Sequence, residues 1–559
     1  MSLVSFSRPA FTLARSGLSA LALSVPLTLG LGLDTFSACN GCRPTRPQGD
    51  AVKPAEEGPP TLRLYLVSDL AGAMEPCGCV KDQLGGLDHL GALVRSEQPR
   101  APAHAVLSAG PLFFMDPELT PDKRAQDVSK AETMAEVLRG LNLVAFAPAR
   151  NEWAAGPETL ARLQQASGAA LLFANAASVL PPAGRVALRE IHGVKLGIIG
   201  VASPGKAPRG NPVPGLVEQP PLEAVRKGVE ELEKQGAQVF VVLASTGRGE
   251  AKRLADEFPR LTAIVVGSAG GAGEANTAAP PAERIGNVLI VETGNHLQTV
   301  AVLDLHVREG SFVFADAAGL EILRKREALA ARMGELRKKI AVWEADPGVA
   351  RADLEARRAE LQKLEGESAQ LEKVPPPEKG SFFRFTMREV RTSLGSDPAV
   401  NDKLAGYYKK VNEANRLAFA DRKPRPPAKD EPSYVGIETC TGCHEEARKV
   451  WDKTAHAHAY KTLADAFKEY NLDCVSCHVT GYDRPGGSTV TAVSGLRDVQ
   501  CEVCHGPGSK HAKSPTKVAV PVKVPPPDSC LACHHPPHVH EFDAASKMNL
   551  ILGPGHQKK

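Results

Sequence analysis

The sequence predicts a multidomain chain with an α/β domain in front, a helical hairpin behind it and a short, mainly helical or irregular tail. Three observations carry this. Between residues 61 and about 307, short apolar runs rich in β-branched side chains alternate with amphipathic helical runs. Two stretches rich in Ala, Leu, Glu, Lys and Arg follow, parted by Asp346-Pro-Gly348. Eight of the 12 cysteines and eleven of the 16 histidines lie beyond residue 439, so the last fifth is chemically unlike the rest. A length of 559 residues is too much for one ordinary core. Hydrophobic and charged fractions of 43% and 23% exclude global disorder and a polytopic membrane protein. With 67 basic and 64 acidic side chains, the net charge of +3 gives no argument for a nucleic-acid partner.

The first element is an export signal. Arg8 and Arg15 precede an uncharged apolar run over residues 18–33, short for a membrane span and suited to a signal-peptide core. Phe36-Ser37-Ala38-Cys39 has the small-small-Cys ending of a lipoprotein cleavage site, with Phe36 where Leu is usual. Residues 1–38 are therefore expected to be removed, leaving Cys39 to carry lipid at the periplasmic side of the cell envelope. An ordinary signal peptide cut nearby is the alternative, with Cys39 and Cys42 left as thiols or a disulfide. Residues 39–60, with Arg43-Pro-Thr-Arg-Pro and Glu56-Glu-Gly-Pro-Pro60, read as a tether.

The α/β domain is expected over residues 61–316. Its strand candidates are residues 61–67, 105–108, 143–147, 171–174, 195–201, 238–244, 263–267, 288–293 and 299–306. Helices such as 130–138 and 222–235 lie between them, and such runs form a buried sheet covered by helices. Residues 317–374 follow as an antiparallel hairpin whose Leu336 and Ile340 can face Leu354, Leu361 and Leu364. Its charges read as a solvated face, with a dimerisation arm as the alternative. Residues 375–432 hold a strand-like 381–385, a helix near 398–419 and a stiff Pro-rich linker over 421–432.

The tail, residues 433–559, carries four copies of Cys-x-x-Cys-His: Cys440, Cys443 and His444; Cys474, Cys477 and His478; Cys501, Cys504 and His505; Cys530, Cys533 and His534. This is the attachment signature of c-type haem: two thiols meet the vinyl edges of one porphyrin and the next His reaches its iron. Zinc ribbons and disulfide frameworks have no reason to place His after the second Cys every time. Four haems are therefore expected. Their distal positions can draw on His456, His458, His511, His535, His538, His540 and His556, of which His456, His511 and His556 are the first choices and His540 or His538 the fourth. The tail is short of Leu, Ile and Phe, so porphyrin faces must supply much of its apolar burial, and its folding is expected to depend on haem insertion. The tail resembles the tetrahaem cytochrome family of nitrifying bacteria, which implies close-packed haems, most with two His ligands and one that can be five-coordinate.

The loops after the front strands are Ser68-Asp69-Leu-Ala-Gly72 with Leu84-Gly-Gly-Leu87, Ser108-Ala-Gly-Pro111, Ala149-Arg-Asn-Glu152, Leu243-Ala-Ser-Thr-Gly247 and Val266-Gly-Ser-Ala269. In this order they resemble the calcineurin-like metallophosphoesterases, specifically the UshA-type 5′-nucleotidase branch, which implies an α/β sandwich. A two-metal phosphatase needs a bridging carboxylate, histidines and an amide oxygen around metals about 4 Å apart. Asp69 survives, but Ala71, Pro111, Asn151, Ser245 and Ser268 cannot complete that set, so the fold is read as retained and the hydrolase as lost.

Inserted after the first strand is Met74-Glu-Pro-Cys77-Gly-Cys79. A disulfide across one Gly closes a strained and hence easily reduced ring, and the carboxyl end of a strand is where α/β folds place their sites. A fixed structural disulfide or a metal-binding pair is the plain alternative. The whole chain resembles UshA-like (seleno)protein multihaem cytochromes, in which selenocysteine can stand at the first Cys. That resemblance implies Cys77 as the reactive position and Cys79 as its resolving partner. The expected function is electron transfer by an exported multihaem cytochrome, with other multihaem cytochromes or quinone-linked donors as partners and a membrane contact through the lipid anchor. It extends to a terminal reductase if the Cys77/Cys79 pair is redox-active. The rival is a docking protein whose front domain is a scaffold.

Overall fold

The computed structural model describes residues 58–77, 83–178, 183–206, 213–271, 273, 275–317, 319–371, 377–535, 539 and 542–553. The readings on the export signal, Cys39, Cys79, His538, His540 and His556 lie outside the described residues. No described helix is long and apolar enough to cross a membrane.

Two sheets form the front domain. The first runs, in spatial order, Ala315–Asp316, Phe382–Glu389, Thr299–His306, Leu62–Ser68, His104–Ala109, Leu143–Ala147 and Ala170–Leu171. The second runs Glu283–Ile285, Val288–Val291, Ala263–Gly267, Val239–Ser245, Val194–Ala202 and Val186–Ile191. Parallel pairing dominates the centre of both. Side-chain alternation with both faces covered then explains why these strands are mostly apolar on both faces. Leu62, Leu64 and Leu66 point into the layer between the sheets, where they meet Val239, Val241 and Leu243. Their neighbours Tyr65 and Val67 point outward to one helical layer, and Phe240 and Val242 to another.

Those layers are made by α1 (Leu87–Glu97), α2 (Arg124–Gly140), α3 (Pro157–Ser167), α4 (Pro221–Lys234) and α5 (Arg248–Glu257). The result is a helix–sheet–sheet–helix sandwich, in agreement with the α/β sandwich expected. The hairpin is formed by α6 (Leu320–Glu344) and α7 (Arg351–Leu371), closed over Met333, Leu336, Ile340 and Leu364. Exposed pairs such as Arg332–Glu360 and Arg337–Glu365 flank that seam and add little stability.

Two readings need correction. The first sheet does not end with the chain at residue 316. Phe382–Glu389 returns to pair antiparallel with Thr299–His306, from Thr299↔Glu389 to His306↔Phe382. The buried Phe382, Phe383 and Phe385 drive this return, since a free linker would leave them in water. The strand read over 171–174 pairs only at Ala170–Leu171, because the chain turns away at Phe173 to bond Gly184. The helix α8 (Pro398–Ala418) then packs on α2 and α1 through Val400, Leu404, Tyr407 and Val411. Asp397 caps it by accepting from the Ala399 and Val400 amides.

The tail consists of short helical turns. They include Ile437–Thr441, Glu445–Trp451, Ala459–Ala464 and Cys501–His505. Its largest described apolar cluster is small, made by Tyr460, Val475, Val479 and Val493.

Candidate functional site

At the carboxyl ends of the central strands, the side chains of Asp69, Asn151 and Ser245 hold neighbouring loops and strands together. Ser245 Oγ accepts from the Gly110 amide at 2.7 Å and donates to the Ala147 carbonyl at 2.9 Å. Asn151 is fully buried. Its Nδ2 donates to the carbonyls of Phe114, Met115 and Gly271, and its Oδ1 accepts from the Gly271 amide. Asp69, at φ 46°, accepts the Ser268 amide at 2.9 Å and so ties the first strand to the other sheet. Burial pushes its carboxyl up to about 7 against that hydrogen bond. Glu152 is buried too. It accepts amides from Leu112, Phe113 and Ala149, and burial raises it to about 7.

Each of these polar groups accepts from or donates to backbone partners, which is a structural role. Purified protein given divalent manganese and a phosphomonoester is therefore expected to show no turnover above background. Robust metal-dependent hydrolysis would show that the loops are misassigned.

The Cys77 segment continues from this place. Pro76–Cys77 pairs antiparallel with Leu84–Gly85, with Cys77 opposite Leu84. Gly85 adopts φ 97°, and a Cβ there would lie 2.8 Å from the His296 carbonyl. His296, buried beside it, contacts Asn276 and the Gly273 carbonyl through its two ring nitrogens. Neither His296 nor its Asn276 contact was marked by any motif.

In the tail, the imidazoles fall into a pattern suited to iron. His478 Nδ1 lies 2.6 Å from the Ala459 carbonyl, His505 Nδ1 2.8 Å from that of Val522, and His511 Nδ1 2.6 Å from that of Val518. Donation from Nδ1 to a carbonyl leaves the lone pair on Nε2, the tautomer a metal needs. The rings of His444 and His511 are 6.4 Å apart at 25°, and those of His456 and His534 are 6.2 Å apart at 38°. Two imidazoles bound on opposite faces of one metal, each with N–metal about 2 Å, hold their ring centres about 6 Å apart. His534 also stacks on Phe542 at 4.2 Å, and burial holds the basicity of His456 and His534 below the usual range.

No disulfide joins the eight motif cysteines. The Cys440 and Cys501 side chains lie beside one another. Cys477 lies beside Cys533 in the same way. The first motif thus meets the third, and the second meets the fourth. The two sulfurs within each Cys-x-x-Cys, His478 and His505 with the lone pair on Nε2, and the facing imidazoles make a donor set that fits c-type haem.

Residues 439–506 match the family described as cytochrome c554 and c-prime. This cytochrome c554 segment contains the first three motifs; the fourth lies beyond it. A curated relative, cytochrome c-554 of Nitrosomonas europaea, is 37% identical over 97 residues, which is 14% of this chain and 41% of that protein. The chain thus spans about two-fifths of the relative it matches. Among solved structures, a 5′-nucleotidase precursor from Thermus thermophilus is similar at 18% identity and TM-score 0.43, over 66% of this chain and 61% of that one. The sulfate thiohydrolase SoxB of the same organism is similar at 16% identity and TM-score 0.37, over 45% and 55%. The chain therefore joins a cytochrome c554-like tail to an α/β sandwich.

The cytochrome tail is fastened to the sandwich. Gln126 of α2, buried, accepts from the Leu472 amide and from Asn415 Nδ2, and donates toward Asn471 and Asp473. Lys123 and Lys130 both pair with Asp473, next to Cys474. Burial alone would raise the Asp473 carboxyl, but these two amines hold it well below the usual range. Lys468 reaches back to Glu75 at 2.6 Å and lies over the Tyr408 ring. Between the two parts is a cavity of about 400 Å³, whose walls include Gly72–Pro76 on one side and Cys474 and Cys477 on the other. Sequence reasoning missed this junction. Its signal was a stripe of Lys123, just before α2, with Asp127 and Lys130 on it at helical spacing, which reads equally well as a solvated face.

Proposed function

We propose that this chain is an exported tetrahaem c-type cytochrome that moves electrons, with the Cys77/Cys79 pair as a two-electron terminus. The facing pairs His444/His511 and His456/His534, each beside a Cys-x-x-Cys, are the observation that carries the reading. In this assignment Cys440, Cys443, Cys474, Cys477, Cys501, Cys504, Cys530 and Cys533 hold the porphyrins by thioether bonds. His444, His478, His505 and His534 are the proximal ligands, and His511 and His456 are distal, with His540 and His556 for the remaining irons. Bound haem supplies one-electron chemistry. The protein supplies ligand orientation, through the carbonyls of Ala459, Val522 and Val518. The functional regions are residues 1–38, 39–60, 61–316, 317–374, 375–432 and 433–559, with the sheet completed by the strand from 375–432. Cys39 would anchor the protein by lipid at the periplasmic side, where multihaem or quinone-linked donors would deliver electrons.

At Cys77/Cys79, two electrons and two protons convert one disulfide into two thiols. The proximity of Gly72–Pro76 to Cys474 and Cys477 across one cavity supports that site as the terminus. The test compares wild type with Cys77→Ser and Cys79→Ser after all haems are reduced, counting thiols by alkylation and mass. Two new thiols are expected in wild type and none in either variant. A pair that stays oxidised beside fully reduced haems would make the motif structural and the sandwich a docking scaffold.

A further inference from the structure

We propose that the loop over residues 510–523 is the docking surface for an acidic one-electron redox protein. This rests on the haem-attachment reading above and goes beyond it, since that reading assigns ligands but no place of electron exchange. From Val503 to Pro527 the chain carries Lys510, Lys513, Lys517 and Lys523 and not one carboxylate. That is a charge of +4 in a protein whose net charge is +3, so the rest of the chain together carries −1. All four lysines are exposed, and none pairs with an acid among the described residues. By contrast, Arg448, Lys449, Lys461 and Lys468 of the tail each pair with a carboxylate. The acid just before the loop, Glu502, is buried and accepts the amides of Val435, Gly436 and Gly508. It does not neutralise the surface.

The loop is also fastened to two of the assigned iron ligands. The Val518 carbonyl accepts from His511 Nδ1, and the Val522 carbonyl accepts from His505 Nδ1. The Val522 amide donates in turn to the His505 carbonyl at 3.0 Å. Pro521 packs on Gly506, where a Cβ would lie 3.0 Å from that of the proline. A partner seated on the lysines therefore stands beside both imidazoles, and electron exchange between proteins requires such closeness. Four unpaired cations on one loop attract an acidic surface, raise its encounter rate and set its orientation. In the exchange the partner gives up one electron and one ferric haem becomes ferrous, with no bond formed or broken.

The test uses full-length, haem-loaded protein, with plant-type two-iron ferredoxin, an acidic one-electron donor, as the probe. Carbodiimide cross-linking of the oxidised proteins, mapped by mass spectrometry, is expected to join ferredoxin carboxylates to lysines of this loop. Stopped-flow reduction by reduced ferredoxin at low salt is expected to slow at least about tenfold when all four lysines become Gln. Rates are taken relative to reduction by dithionite, which needs no docking surface. A control variant outside the tail loses the same charge: Lys206→Gln, Lys227→Gln, Lys234→Gln and Lys379→Gln. It should keep the wild-type rate within about twofold. Equal slowing in both variants, no slowing in either, or cross-links only elsewhere overturns the proposal. Phosphatidylglycerol vesicles that bind wild type but not the loop variant, with the ferredoxin rate unchanged, would make the loop a lipid contact instead. Intact mass separates the two claims. A wild type without haem at the first or third motif counts against the attachment reading, whereas full loading with an unchanged rate counts against the docking surface alone.

Discussion

Gly267→Ala is expected to cost at least about 4 kcal/mol and to lower the urea midpoint accordingly. The two sheets converge at their carboxyl ends, and a Cβ on Gly267 would lie 2.3 Å from the Gly110 amide nitrogen, 2.4 Å from the Ala109 carbonyl carbon and 2.6 Å from its oxygen. All three are backbone atoms of the facing sheet, so no rotamer change relieves the overlap and the sheets must part. Parting them would also break the Ser245–Gly110 and Asp69–Ser268 hydrogen bonds, leaving buried polar groups at a cost of about 1–3 kcal/mol each. Gly249→Ala on α5 is the control, because nothing lies within 4 Å of its added methyl; it should be neutral or stabilising by up to about 1 kcal/mol. A Gly267→Ala protein as stable as wild type would mean that the sheets do not approach as described.

The second large effect is spectroscopic. His456→Ala should remove the imidazole facing His534, and His511→Ala the one facing His444. Each is expected to convert one iron per chain from low spin to high spin, or to a water-ligated form, without changing covalent haem content. Electron paramagnetic resonance of the oxidised protein reads this directly. If either variant keeps every wild-type low-spin signal, that histidine is not an axial ligand. The double variant should add the two changes, because the pairs share no residue and additivity holds for independent sites.

Much of this architecture was legible in the chain. Apart from Arg63, Ser68 and Ser245, strands such as Leu62–Ser68 and Val239–Ser245 are apolar on both faces, as a sheet covered on both sides requires. The attachment motifs were equally plain, since Cys-x-x-Cys-His binds its chemistry to a local spacing. The return of Phe382–Glu389 to the first sheet was not plain. Pairing with Thr299–His306 spans the whole hairpin, and no local pattern encodes so distant a partner. The seam at Gln126 was hidden for a related reason. A single buried amide bridging α2, α8 and the residues before Cys474 becomes significant only once three distant segments meet. The pairing of His456 with His534 likewise depends on tertiary folding, although the residue types alone named both as candidate ligands.

The central claim is that the tail is a haem-filled module, and intact mass of the protein matured with the haem-attachment machinery tests it most directly. Four complete Cys-x-x-Cys-His motifs occur, and no other cysteine is followed by histidine. Four covalent haem additions per chain are predicted, with each Cys→Ser pair substitution removing one of them. Three or fewer additions to fully matured wild-type protein would contradict the account.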